Sequence, residues 1–165
     1  MKISTRKITL IAVLSALTVV LTAFVNIKFP NGSYIHLGDA AIFTAAILTG
    51  PLGGFFAGGV ASAIADVLAG APQWMLATFI AKGLMGTITG FLAYGTKEKS
   101  YIKYFLAMLA GSGIMIICYY VAYAFMLYDG DFIKPLFGIW LDFLQVFAGI
   151  SISFLTLVAL KKHIK

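Results

Sequence analysis

Lys82 stands in TFIAKGLMG (78–86), inside a run that is otherwise apolar from Trp74 to Tyr94. At the centre of a membrane helix a lysine costs about 2.5–3.5 kcal/mol on insertion scales, so its ammonium needs partners. Asp142 lies in a later apolar run, and counting from the expected outer ends puts Lys82 roughly 14 Å and Asp142 roughly 12 Å deep. Their similar depth predicts a Lys82–Asp142 pair. One carboxylate does not satisfy all the ammonium donors, so Lys82 is also expected to donate to a ligand oxygen or ring nitrogen. A purely structural ion pair is the competing reading of the same residues. Either way the chemistry is recognition by charge and hydrogen bond.

Other polar groups gather towards the same side. Asp39 opens the second apolar segment, and Asp66 lies about one turn from the outer end of the third. Tyr119, Tyr120 and Tyr123 fall within an arc of about 100° in the outer part of the fifth. Thr78 shares a helical stripe with Lys82, and Gln145 shares one with Asp142. The loop before the second segment adds Asn31, Ser33, Tyr34 and His36, and the loop after the third adds Gln73 and Trp74. The inner halves of the segments are nearly free of such groups. A channel or proton relay needs polar groups through the full depth, whereas these form a cup open on one side and closed beneath. Each member also has a plainer reading. Asp39 suits a helix N-cap, Asp66 can reach water, the tyrosines suit an aromatic belt, and His36 suits a solvated loop.

The elements that must hold this cup are membrane helices. The chain has 165 residues, is 61% hydrophobic and only 11% charged, against about 25% charged in a soluble domain. The expected fold is all-α and integral to the membrane, a single transmembrane substrate-binding domain over residues 1–165. Its spans are placed at about 8–27, 37–50, 52–69, 73–95, 102–127 and 134–160. Four spans plus a re-entrant pair is the alternative. Lys2, Arg6 and Lys7 before an apolar stretch imitate a signal peptide, but no small-x-small cleavage pattern follows, so a retained first helix is expected. TGPLGG (49–54) breaks the apolar block from Leu37 to Gly70 at Pro51. The second segment, at roughly 21 Å, is short for a ~30 Å hydrocarbon core, so its outer end is expected to sink into the protein.

Charge orients the bundle. Placing both termini in the cytoplasm puts Lys2, Arg6, Lys7, Lys97, Lys99, Lys103, Lys161, Lys162 and Lys165 inside, with only Lys28 and Lys134 outside. This positive-inside bias accounts for the formal charge of +6, so no nucleic-acid partner is expected.

Small residues recur at helix-packing intervals. Ala12 and Ala16 form an A-x-x-x-A near the cytoplasmic end of the first segment and suit contact with an external helix. Gly54 and Gly58, with Ala57, Ala61 and Ala65, form a similar stripe in the third, suited to an external helix or to packing inside the bundle. Gly86 and Gly90 continue the Lys82 stripe, and Gly138 and Gly149 the Asp142 stripe; the glycines beneath the polar pair are expected to allow close helix approach and seal the floor of the cup. Trp140 points away from Asp142 and is expected to be a lipid or interface anchor. No phosphate-binding loop, zinc-protease motif or nucleophile elbow is present, and Cys118 is a lone cysteine. The chain reads as neither an enzyme nor a metal protein. Uphill transport would need an ion gradient or another subunit.

The stretch IHLGDAAIFTAAILTGPLGGFFAGGVASAIADVLAG (35–70) resembles the substrate-binding S component of energy-coupling factor (ECF) vitamin transporters. In particular it is similar to the branch that takes up hydroxymethylpyrimidine and pyridoxine (vitamin B6). Leu37-Gly38-Asp39, Gly50-Pro51 with Gly53-Gly54, Ala65-Asp66 and the A-x-x-x-A carry the resemblance. It implies a six-helix bundle in a bacterial plasma membrane, with a T component and two ABC-type ATPases as partners. Those ATPases, not this chain, would use ATP and Mg, and no cofactor is expected here. It also implies a small vitamin held near the outer face and contact of Ala12 and Ala16 with the scaffold subunit. Pyridoxine or hydroxymethylpyrimidine is the favoured ligand, with pantothenate and riboflavin as alternatives. A stand-alone ion-coupled carrier is the rival class.

Overall fold

A computed structural model describes residues 4–29, 34–95 and 100–160. Helix α1 (Thr5–Ala23) starts at Ser4, whose side chain accepts the Lys7 amide. A short antiparallel hairpin follows, β1 (Asn26–Lys28) and β2 (Tyr34–His36), with Ile27 opposite Ile35. Then come α2 (Gly38–Thr49), α3 (Pro51–Leu68), α4 (Met75–Ala93), α5 (Tyr101–Leu127) and α6 (Trp140–Ala159). Single 3-10 turns, Pro72–Trp74 and Lys134–Phe137, lead towards α4 and α6. The hairpin departs from the all-α expectation. Asn26 begins it by returning its side-chain amide to the carbonyls of Thr22 and Ala23, which ends α1 earlier than residue 27.

Among the described residues five helices, all but α2, are long and apolar enough to cross a membrane. Helix α2 has only 12 residues, about 18 Å at 1.5 Å per residue, less than the hydrocarbon thickness. All of it but Leu48 is buried, so it forms the axis of the bundle. An apolar helix without a polar side belongs in such a core. Its Ile42, Phe43 and Ile47 pack with Met85, Met108, Met115, Val146 and Ile150.

Two local features set the register of the core. Gly50 adopts φ +81° between α2 and α3, a conformation that favours glycine, and Pro51 then opens α3. Within α3, residues Phe56–Val60 form a π-turn. Gly58 lies there against the Lys82 carbonyl of α4, and Gly54 lies against the Gly86 carbonyl. The G-x-x-x-G stripe thus serves packing inside the bundle, bringing two backbones into contact.

The last span starts later than expected. The expected run 134–160 becomes a 3-10 turn and then α6 from Trp140, because Pro135 and Gly138 both disfavour a continuous helix. Asp142 is therefore in the first turn of α6, not two turns deep.

Candidate ligand-binding site

Lys82 is almost wholly buried, at 1% exposure, and its ammonium forms an ion pair with the fully buried Asp39. The expected pair with Asp142 is not formed. Asp39, fully buried in the first turn of α2, supplies the carboxylate that Lys82 meets, while the late start of α6 places Asp142 in the first turn of that helix. Asp39 makes no helix-capping bond. Its second oxygen accepts Gln145 Nε2 at 2.9 Å, and Gln145 Oε1 accepts the His36 amide at 3.1 Å. Gly149, one turn after Gln145, lies against Asp39 Cβ and lets α6 come this close.

His36 joins the hairpin to the floor. Its Nδ1 accepts the Gly38 amide at 3.0 Å and lies 3.3 Å from the Thr22 hydroxyl of α1. Its Nε2 lies 3.3 Å from Lys82 Nζ. Burial, then the adjacent ammonium, holds the imidazole well below the usual histidine range, so it is neutral. Four elements besides the hairpin, α1, α2, α4 and α6, thus meet in one buried network. Sequence reading missed Thr22, although two hydroxyls one turn apart, Thr18 and Thr22, in the apolar second half of α1 were its signal.

Above this floor is a cavity of about 30 Å³ bounded by Tyr34, His36, Asp66, Trp74, Lys82, Tyr119, Tyr123, Asp142 and Gln145. A similar space continues past Tyr34, Tyr123 and Asp142 towards Tyr128 and Pro135. Each has room for a water or two, so a ring must spread the walls to enter. Tyr119 and Tyr123 stack at 5.9 Å, and Trp74 meets Tyr123 edge-on at 5.3 Å. Tyr119 donates to Thr78 at 3.0 Å, Tyr123 to Asp142 Oδ1 at 3.1 Å, and Tyr34 to Asp66 Oδ1. The other carboxylate oxygens, Asp66 Oδ2 and Asp142 Oδ2, are buried and accept no hydrogen bond. Beside Asp66, the burial of Tyr34 first and the carboxylate second push its phenol up, so it stays a donor.

Of the residues expected in the cup, His36, Asp66, Trp74, Lys82, Tyr119, Tyr123, Asp142 and Gln145 line the cavity. Asp39 and Thr78 stand behind it, bonded to Lys82 and Tyr119. Two are corrected. Gln73 is exposed on its 3-10 turn, and Tyr120 turns away to donate to the Phe132 carbonyl. Tyr120 is one residue from Tyr119, about 100° round the helix, which suffices to take it off the cavity face. Asn31 and Ser33 lie outside the described residues, as do Lys2, Lys97, Lys99, Lys161, Lys162 and Lys165.

At the other end, Ala12 and Ala16 are exposed on α1. They line an apolar groove of about 470 Å³ with Leu52, Phe56 and Ile64 of α3. Trp140 is exposed, on the side of α6 away from Asp142.

Comparison with known proteins supplies the family. Residues 2–162 match the family model described as the ECF-type riboflavin transporter, S component. A protein of Pyrococcus woesei described only as uncharacterized is 39% identical over 136 residues, 81% of this chain and 87% of its own length. The thiamine precursor transporter HmpT of Lactococcus lactis is 28% identical over 150 residues, 90% of this chain and 83% of its own. In fold, the crystal structure of FolT bound with folic acid is similar, with TM-score 0.63 and 21% identity, covering 92% of this chain and 93% of that one. The chain belongs to the S-component family of ECF-type vitamin transporters, membrane proteins of transport rather than enzymes.

Proposed function

We propose that this chain captures pyridoxine or hydroxymethylpyrimidine at the outer face of a bacterial plasma membrane. It then delivers the vitamin with a T component and two ABC-type ATPases. The reading includes six spans in a single domain over residues 1–165, with both termini in the cytoplasm and α2 as a short central span. The observation that carries it is the cavity above Lys82, where aromatic walls meet a buried ammonium and two carboxylates. Such walls suit a small heteroaromatic ring, and the polar groups suit its hydroxyl and nitrogen substituents. The 28% identity to a thiamine precursor transporter agrees with that size of ligand.

Riboflavin is the second reading, because the matching family description names it. Its fused rings need far more wall movement around the 30 Å³ cavity than a single ring does. Mass spectrometry of the small molecule released from detergent-purified protein decides between them. A pyridine or pyrimidine alcohol supports the proposal; a flavin, pantothenate or no vitamin overturns it. Uptake by this subunit alone, collapsing with an ion gradient, would favour a stand-alone carrier.

A further inference from the structure

His36 and Lys82 approach each other as two donors. The Gly38 amide points its hydrogen at His36 Nδ1 at 3.0 Å, so that nitrogen is an acceptor. A neutral imidazole with a bare Nδ1 carries its proton on Nε2. Nε2 lies 3.3 Å from an ammonium nitrogen, which has only hydrogens to offer. The opposite tautomer would let Lys82 donate to Nε2, but it would set Nδ1–H against the Gly38 N–H. Two buried donors at this distance are compatible when a common acceptor lies in front of both. Both residues bound the cavity, and its lining also includes Asp66 and Asp142, whose Oδ2 atoms are buried acceptors without donors.

We infer that His36 Nε2–H and Lys82 Nζ form a subsite for one lone-pair atom of the ligand, and that Asp66 and Asp142 take hydrogen-bond donors from its opposite edge. The inference rests on the outer-cavity reading above and gives that site a polarity. The ligand class is a single planar nitrogen heterocycle. A ring nitrogen or ring oxygen substituent faces His36 and Lys82, and hydroxymethyl or amino groups face the carboxylates. A carboxylate-bearing vitamin has no good orientation. Turned one way its charge faces Asp66 and Asp142; turned the other, its remaining hydroxyl or amide groups must supply both donors.

The test is the tautomer of His36, read by ¹⁵N NMR of histidine-labelled protein in detergent. A His163→Gln background leaves a single imidazole. Ligand-free protein is expected to show a protonated Nε2 and a bare Nδ1. Saturating pyridoxine or hydroxymethylpyrimidine, with binding confirmed by calorimetry, should move the Nε2–H proton downfield and leave Nδ1 in place. An Nδ1–H tautomer overturns the inference even where these vitamins bind. So does binding heat without movement at Nε2, or tighter binding of pantothenate than of both probes. No heat from either probe overturns the substrate reading and the ligand class with it, while the tautomer still reports the donor pair by itself.

Discussion

Lys82 of α4 and Asp39 of α2, 43 residues apart, form an ion pair in which both side chains are buried. Opposite charge and the Gln145 amide offset the cost of placing a lysine in this helix. Removing one partner of a buried pair leaves the other charge stranded, at a cost of about 3–5 kcal/mol. Lys82→Ala should therefore lower the thermal midpoint in detergent by many degrees and weaken vitamin binding at least about thirtyfold. Lys82→Met with Asp39→Leu removes both charges and should recover most of the midpoint but none of the affinity. Near-native affinity in that double variant, measured by titration calorimetry, would mean that the pair serves only the fold.

The second prediction concerns helix contact. A Cβ on Gly86 would lie 2.1 Å from the Gly54 carbonyl oxygen, and one on Gly113 would meet nothing within 4 Å. Gly86→Ala must push α3 from α4, an overpacking cost of about 1–3 kcal/mol or more. Gly113→Ala should leave stability unchanged or slightly raised. Thermal unfolding of both variants in one detergent makes the comparison. Equal midpoints would show that the two helices are not held at backbone contact.

Much of this arrangement was legible in the sequence. Gly50-Pro51 announced the break between α2 and α3, and apolar runs announced the long helices. Polar side chains inside apolar runs announced the cup, since burial without a partner is too costly to occur idly. What was not legible were phase and partner. Pro135 and Gly138 delay α6 by about two turns, which lifts Asp142 towards Tyr123 and leaves Asp39 to Lys82. The π-turn at Phe56–Val60 has no period of its own to read, and the hairpin strands are too short to show alternation.

A third prediction follows from His36. Its folded-state proton affinity is depressed by burial and then by Lys82. The unfolded chain, with a histidine pKa near 6.5, binds the proton first as pH falls. The His36 contribution is thus fully present above about pH 6.5 and is lost below it, by up to about 1.4 kcal/mol per pH unit. The groups facing the ring are Lys82, Thr22, Tyr34 and the Gly38 amide. Thermal midpoints measured from pH 7.5 to 5 should fall more steeply in wild type than in His36→Gln. Parallel curves would mean that the ring is solvated and titrates freely.

The last prediction separates capture from delivery. Ala12 and Ala16 project from the exposed side of α1, whereas Thr22 on its buried side reaches His36. Thr22 follows Ala16 by six residues, about 9 Å along the helix, and points to a different face. Ala12→Trp and Ala16→Trp place large side chains over the groove shared with Leu52, Phe56 and Ile64. They add nothing near the cavity. Binding of pyridoxine or hydroxymethylpyrimidine by the isolated subunit should stay within about twofold of wild type. Uptake by cells expressing the whole transporter should fall to background, because close approach by a scaffold helix depends on small residues. Copurification with the T component reads the same contact without transport. Normal yield of the complex from the double tryptophan variant would move the partner surface elsewhere on the bundle.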